Sequence, residues 1–475
     1  MESAPGCAAL LPPEQPAASL EEHLARKPLC RTQWLIWALA AAGKFLEGLV
    51  VFSAGPVLPL VGDAFQLGAL QRGAVAAADL LGILIGSLLF GALADRWGRR
   101  PVFIAEMGLL LVGLLLAGLS PGPWWLIGAL LLVGLALGAD YPTAHLMIAE
   151  SIPAAVRGRL VLAAFSFQAL GVVGGAALGV LVLQLAPPLQ AWRLFYLLPA
   201  LPVLLLTLWR WRLPESSHWL LSRGEQAAAE QALAQVLQRP GLRLLPLPQA
   251  PATQAIPWRA AFGQLGSPRL RRATTLAVVP WFLQDLGTYG IGIFLPLLLS
   301  GARGEGLGGG VIGVELFGVR SSGLIDLALL AGFAVAIAGT DRWGRMPLQI
   351  GGFLGCAAGL LLAAAGAGAG THAPQLPLLM AGLLLFQFMT NLGPNAQTYL
   401  LAGELFPTPV RGRAAGLAAA AGKVAAVLIA LLLPAALQHW GAPPVLLLLA
   451  GSSLLGALVT GLCRIEPSGD ALVDG

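Results

Sequence analysis

Gly91-Ala-Leu-Ala-Asp95-Arg-Trp-Gly-Arg99-Arg100-Pro101 returns later in the chain as Gly339-Thr-Asp341-Arg-Trp-Gly-Arg345-Met-Pro347, and Asp341 minus Asp95 is 246. A second pair follows in the same order. Glu150-Ser-Ile-Pro-Ala-Ala-Val-Arg157-Gly-Arg159 is echoed by Glu404-Leu-Phe-Pro-Thr-Pro-Val-Arg411-Gly-Arg413, at an offset of 254. Two motifs repeated in order at nearly one spacing mark an internal duplication.

The context of the repeats is apolar. The 475 residues are 57% hydrophobic and only 11% charged, with 61 Gly, a composition that fits a polytopic membrane protein and no soluble class. Twelve stretches are long enough, at about 18 residues or more, to cross a hydrocarbon layer of roughly 30 Å. They lie near 34–60, 73–94, 101–119, 124–149, 160–185, 193–211, 272–299, 321–340, 347–370, 375–402, 412–437 and 443–463. The first motif follows the second and eighth stretches, and the other motif follows the fourth and tenth. The expected fold is therefore all-α, with twelve transmembrane helices in two pseudo-symmetric six-helix bundles. The bundles are expected at 32–212 and 272–464, with a central cytoplasmic loop at 213–271 and an amphipathic run at Gly224–Gln238. Residues 1–31 and 465–475 are expected as cytoplasmic tails, the first disordered: it is Pro-rich, carries Glu14, Glu21 and Glu22, and lacks a signal-peptide core.

Charge fixes the orientation. Of the 28 Lys and Arg, 22 fall on the side that holds both termini, four (Arg72, Arg193, Arg303, Arg320) on the other, and two within spans. The positive-inside rule then places both termini in the cytoplasm of a cell with a plasma (inner) membrane carrier, and explains the net charge of +5 without any nucleic-acid partner. Cys7, Cys30, Cys356 and Cys463 have neither metal-binding spacing nor a pairing on the outer face, so no disulfide framework, metal or cofactor is expected. No Gly-rich loop of the ATPase type occurs, which argues against ATP-driven pumping. The short Asp-Arg-x-Gly-Arg turns let two membrane helices reverse within a few residues: Gly permits the bend, while Asp and Arg pair or cap helix ends.

Polar residues inside the spans point to a site. In Trp281-Phe-Leu-Gln-Asp285-Leu-Gly-Thr-Tyr289-Gly, an indole, an acid and a phenol recur at i, i+4 and i+8 on one helix face. An intramembrane acid costs roughly 2.5 kcal/mol or more and marks function by default. Lys44 and Glu47 lie one turn apart in the first span and are able to pair. In the fourth, Gly138-Ala-Asp140-Tyr141-Pro142 interrupts a run of Leu, Val and Gly, and a Pro there removes a helix hydrogen bond and can expose backbone groups to a cavity. Gln168 is the central polar residue of the fifth, Asn391-Leu-Gly393-Pro394-Asn395 breaks the tenth, and Lys423 stands alone in the eleventh. Adding 254 to Tyr141 gives Asn395, and adding it to Gln168 gives 422, beside Lys423, as expected if both halves line one cavity near mid-membrane. Asp79 and Asp326, placed almost symmetrically, read as structural. His145, one turn from Tyr141, reads as a core histidine bonded to a neighbouring helix. Only three Lys occur, and two of them, Lys44 and Lys423, lie inside spans. Lys is a compact charge that suits binding and release of an anion.

These residues resemble the major facilitator superfamily over roughly 32–464. The loops carry that resemblance first, and it implies a gating role for Asp95, Arg99, Arg100, Asp341 and Arg345. Pro214-Glu215-Ser-Ser-His-Trp219 is similar to the sugar-porter-like branch. Within it, Gly-Asp-Tyr-Pro in the fourth helix, Trp-x-x-x-Asp-x-x-x-Tyr in the seventh, Gly-Pro-Asn in the tenth and Gly-Lys-Val in the eleventh resemble the proton-coupled phosphate symporters. The resemblance implies that Tyr141, Gln168, Trp281, Asp285, Tyr289, Asn395 and Lys423 contact substrate, and that Glu47, Asp140 and Asp285 serve proton coupling. It departs at one point: those symporters have a second acid three residues after the first in the first helix, where this chain has Val50.

The function expected is secondary active transport by alternating access, with proton symport of inorganic phosphate or a similar anion and no catalytic activity. Glu47, Asp140 and Asp285 against Lys423 leave two excess negative charges, and desolvation with mutual repulsion should keep at least one acid protonated. The alternative within the same class is a sugar or organic-ion (aromatic acid) porter; a non-transporting nutrient sensor would have no need of intact gate loops in both halves. Substrate, protons and the lipid bilayer are the expected partners, and a monomer the expected state.

Overall fold

The computed structural model describes residues 18–25, 28–185, 191–245, 263–302, 310–368, 373–406 and 408–465. Eleven helices among them are long and apolar enough to span a membrane: Arg31–Ala64, Ala69–Gly91, Arg99–Gly118, Pro123–Ser151, Val156–Gln184, Arg271–Ser300, Leu316–Thr340, Arg345–Gly366, Leu376–Ala402, Ala414–Trp440 and Ala442–Leu462. A twelfth, Leu194–Arg210, is apolar but shorter, with Pro199 and Pro202 inside it. Numbered in chain order with this helix as the sixth, they form the expected twelve-helix, six-plus-six fold of a multi-pass membrane protein.

The reversals between the second and third and between the eighth and ninth helices are tighter than expected. Asp95 and Asp341 belong to helices that run on to Trp97 and Trp343, and the next helices begin at Arg99 and Arg345. A single residue makes each turn, Gly98 at φ 106° and Gly344 at φ 82°. Those angles are open to glycine and strained for any residue with a Cβ.

The fourth helix runs through Pro142 without a break. It is continuous from Pro123 to Ser151, and the Thr143 hydroxyl donates to the Ala139 carbonyl at 2.7 Å. Breaks fall elsewhere. The first span is divided at Ser53 and the tenth at Gly393 (φ −118°, ψ −91°), where Pro394 starts a new helix to Glu404. The first and fifth spans cross at Gly48, where a methyl group would come within 2.0 Å of the Gln168 carbonyl oxygen. That close approach seats Gln168 against the first span.

The N-terminal segment is partly ordered, which corrects the expectation of a wholly disordered tail. Ser19 and Glu22 form a capping box for the short helix Leu20–Leu24, and Leu20 and Leu24 are buried in a cluster with Leu220, Leu233 and Leu244 of the central connection. Ala18 pairs with Leu244, and His23 Nε2 lies 3.1 Å from the Arg243 carbonyl. Residues 1–17, most of the second half of the central connection and 466–475 lie outside the described residues. Arg272 donates to the Arg464 carbonyl at 2.8 Å, so both ends of the described chain lie on one face with the central connection, hereafter the terminal face. On the far face a crevice of about 720 Å³ opens between the halves, lined among others by Leu58, Arg72, Phe294, Leu298, Pro434 and Gln438.

Candidate substrate and ion-coupling site

Two charged clusters meet at the middle of the molecule. In the N-terminal half Glu47, fully buried, collects the Tyr141 hydroxyl at 2.5 Å, the Gln168 amide at 2.9 Å and the Lys44 ammonium at 3.0 Å. Lys44 also lies 3.3 Å from Asp140 and 3.6 Å from the centre of the Tyr141 ring. Asp140 in turn is 3.2 Å from Arg210, whose guanidinium bonds Glu106 and the Phe103 carbonyl and stacks over the Phe103 ring at 3.4 Å. Thr143 donates to Glu106 at 2.6 Å. The spacing of Asp140 and Thr143 makes this possible, since residues three apart project from one side of a helix.

In the C-terminal half Lys423 donates to the Tyr289 hydroxyl at 2.5 Å and lies 3.4 Å from Asp285. Its ammonium is 5.0 Å from the ring of Tyr141, which belongs to the other half. Phe52 of the first span stacks on Tyr289 at 5.6 Å, closing the junction. Trp281 and Asp285 both lie against Gly422, where a methyl group would come within 2.7 Å of Trp281 and 2.8 Å of the Asp285 carboxylate.

The expected substrate-contacting residues therefore separate into two groups. Tyr141, Gln168, Trp281, Asp285, Tyr289 and Lys423 converge at the junction. Asn395 joins a string of amides and hydroxyls instead: Asn395 donates to Asn391 at 2.7 Å, and Gln284 donates to Asn395 at 3.3 Å and to Thr288 at 2.6 Å. Of the residues expected in proton coupling, Glu47 and Asp285 touch the junction, whereas Asp140 is held inside its own half by two cations. Asp79 and Asp326 fit the structural reading. The first accepts the Leu80 amide at 2.8 Å and the second the Gln387 amide at 2.6 Å. His145 is bonded to a neighbouring helix as expected, through Tyr399.

Two residues escaped the reading of the sequence. Arg210 stands at the edge of an apolar stretch beside Trp211 and Arg212 and was counted with the loop cations, yet it is fully buried. Glu106 is a lone acid in the third span, and the rule that singled out Asp285 applies to it equally. They cancel each other in charge; it is Lys44, paired with Glu47 and Asp140, that changes the balance. Four buried carboxylates (Glu47, Glu106, Asp140, Asp285) face three cations (Lys44, Arg210, Lys423), so one excess negative charge remains rather than two. Arg210→Ala would strand two buried acids, and losing one partner of a buried pair costs about 3–5 kcal/mol. Thermal unfolding in detergent should show a large drop in midpoint; a wild-type midpoint would mean that the acids are satisfied without Arg210.

Two of the arginines expected in gating pair within their own halves. Arg99 meets Glu150 at 3.4 Å, and Arg345 meets Glu404 at 2.6 Å, so the two repeated motifs are each other's partners. The side chains of Asp95 and Asp341 lie outside the described residues. Glu215 from the central connection accepts the amides of Arg99, Arg100 and Ser216 at 3.0, 3.1 and 2.8 Å, capping the third helix with a negative charge at its positive end. Arg99→Ala should slow the transport cycle while leaving equilibrium substrate binding unchanged, because the pair is remote from Lys423. Lost affinity with normal turnover would contradict a gating role.

Comparison with known proteins agrees with this geometry. Residues 38–473 match the family model described as "Sugar (and other) transporter". The chain is 30% identical over 455 residues to the inner membrane metabolite transport protein YgcS of Escherichia coli K12, covering 94% of each protein. It is 27% identical to inorganic phosphate transporter 1-2 of Oryza sativa subsp. japonica, covering 96% of this chain and 98% of that one. Among solved structures, the partially occluded inward-open form of the E. coli xylose transporter XylE superposes with a TM-score of 0.74 at 19% identity, over 93% of this chain and all of the other, which establishes the fold. With two repeats of gate motifs, a polar site buried between them and a family match spanning both halves, the chain belongs to the sugar (and other) transporter family of the major facilitator superfamily and is a membrane transporter rather than an enzyme.

Proposed function

We propose that this transporter carries a small anion, inorganic phosphate first, together with protons, by alternating access. The observation that carries the reading is Lys423: a buried ammonium at the junction of the halves, bonded to Asp285 and Tyr289 and facing Tyr141 across the interface. A cation there offers charge-assisted bonds to a substrate oxyanion in a weakly screened site, with Tyr141, Gln168 and Tyr289 as neighbouring hydrogen-bonding groups. A relative named as an inorganic phosphate transporter, aligned over nearly the whole chain, supports the same cargo. The excess carboxylate of the buried cluster supports proton coupling: Asp285 shares Lys423 with the incoming anion, and a proton on it restores neutrality when both are present. Asn395 contributes through Gln284 as a wall of the site. The distribution of Lys and Arg supports a cytoplasmic terminal face.

A second reading, an aromatic acid or a sugar, is favoured by the rings around the site, Trp281, Tyr141, Tyr289 and Phe52, against which a cyclic substrate would stack. Uptake of labelled phosphate, hexoses, benzoates and dicarboxylates into proteoliposomes, with and without an inward proton gradient, separates the two. Phosphate accumulation that needs the gradient is expected. Saturable uptake of a ring compound with no competition by phosphate would replace the anion reading.

A further inference from the structure

The ion pair of the N-terminal half has a titratable neighbour that neither the central site nor proton coupling uses. Glu150, the partner of Arg99, also accepts the Ser216 hydroxyl, and Ser216 caps the short helix Ser217–Ser222 by accepting the Trp219 amide at 3.2 Å. Glu215 holds the amides of Arg99 and Arg100 from the same stretch, so residues 214–219 are laid against both members of the pair. His218 lies two residues past Ser216, and its Nε2 is buried with no hydrogen-bond partner among the described residues. Buried polar atoms left unpaired are uncommon in folded proteins.

Among the described residues, the charges that act on His218 most strongly come from four elements: Glu150 at the end of the fourth span, Arg157 at the start of the fifth, Arg99 at the start of the third, and Glu21 on the N-terminal helix Leu20–Leu24. That helix packs on the same stretch, with Leu20 and Leu24 buried in one cluster with Leu220. Burial is the largest influence on the imidazole, and with Arg157 and Arg99 it holds the ring below its ordinary value, against the opposing pull of Glu150 and Glu21. At neutral pH the ring is therefore uncharged in this conformation. A proton on it would attract Glu150, and so compete with Arg99 for that carboxylate. The equivalent pair of the C-terminal half, Arg345 and Glu404, has no such neighbour in sequence, since 341–347, 404–413 and 463–475 contain no His.

We propose that His218 is a regulatory proton site on the terminal face, separate from the coupling carboxylates, and that a proton there releases Glu150 from Arg99 and favours conformations open on that side. A base whose pKa is lowered in one conformation favours that conformation above the ordinary imidazole value of about 6.5, and the advantage is lost as pH falls through that value toward the lowered one. Acid on the terminal face therefore opens it. In a carrier that brings protons to that face, their accumulation delays closure and the return of the empty carrier, so uptake limits itself. The site rests on alternating access and on gating by Arg99 and Glu150, and is independent of which solute is carried.

Distances between nitroxides at Arg96→Cys and Arg342→Cys, exposed and equivalent positions at the terminal ends of the second and eighth helices, read this opening without any substrate. The full chain is used, with its four native cysteines replaced by Ser, in nanodiscs of a neutral lipid. From pH 7.5 to 5.5 the ratio of long to short separations should rise about three- to tenfold, tenfold being the limit for an imidazole that stays neutral in the closed conformation one pH unit below 6.5. His218→Gln should remove that part of the response, whatever the central acids contribute, and His218→Arg, a fixed cation, should show at pH 7.5 the ratio that the unmodified chain reaches only in acid. A pH response in His218→Gln equal to that of the unmodified chain, or a His218→Arg chain that stays closed at pH 7.5, would overturn the proton site. Arg99→Ala should be open at both pH values. An Arg99→Ala chain that stays closed would remove Arg99 from gating, and with it the release of Glu150 as the route, even where the His218 variants respond as expected.

Discussion

Asp285→Asn is expected to abolish proton-driven accumulation of substrate, while exchange of labelled for unlabelled substrate across the membrane should continue. The amide keeps the size of the carboxyl and fills the same space against Gly422, but it can neither carry a proton nor balance the Lys423 ammonium 3.4 Å away. Buried at 2% exposure, Asp285 has no solvent to stand in for its charge. With Asn in place, Lys423 and Tyr289 still offer hydrogen-bonding groups to an anion, so binding and exchange should persist while uphill movement stops. Measuring the steady-state accumulation ratio under an imposed proton gradient, next to counterflow without one, separates the two outcomes. A ratio equal to that of the unmodified protein would remove Asp285 from coupling and leave Glu47, the hub of Tyr141, Gln168 and Lys44, as the remaining acid at the junction.

If the cargo is phosphate, Lys423→Gln should weaken its binding by well over tenfold, because hydrogen bonds to charged groups are worth roughly 1.5–3 kcal/mol each and about 1.4 kcal/mol is a factor of ten. Glutamine retains length and polarity, so the loss reports the charge. The same change leaves Asp285 without its cation, so the pH dependence of transport should move as well. For a neutral sugar the affinity would stay within a few-fold and the pH dependence alone would move. Isothermal titration across pH 5–8 on folded, detergent-solubilised protein reads both. Unchanged affinity for phosphate in a correctly folded variant would sink the anion reading.

The residues of this site were legible one at a time. Trp281, Asp285 and Tyr289 announce themselves by helical spacing and by the cost of an acid in an apolar segment, and Lys423 by being a charge among Ala and Val. Arg210 was not legible, because a cation at the end of an apolar stretch reads as a flank, and only its packing against Phe103 and Glu106 makes it a core residue. Its charge offsets that of Glu106, so the excess carboxylate on which the coupling argument rests is left unchanged by the pair. Asn395 was legible as a polar position but not as a member of a separate amide string, because a spacing of 254 gives equivalence between repeats and not contact.

The sequence by itself determined the membrane class, the twelve spans, the duplication and most of the charged residues that the site uses, because apolar length, periodicity and repeat offset are one-dimensional properties of a chain. Tertiary structure decided which of those residues meet. It paired Arg99 with Glu150 and Arg345 with Glu404, turning two repeated motifs into one device. It set Asp140 between Lys44 and Arg210, away from the junction. It kept the fourth helix continuous through Pro142, whereas the tenth breaks at Gly393 as its sequence implies. It also brought His145 onto Tyr399, two positions as far apart in the chain as the two halves themselves, since contact across a symmetry axis depends on how bundles dock and leaves no trace in local sequence.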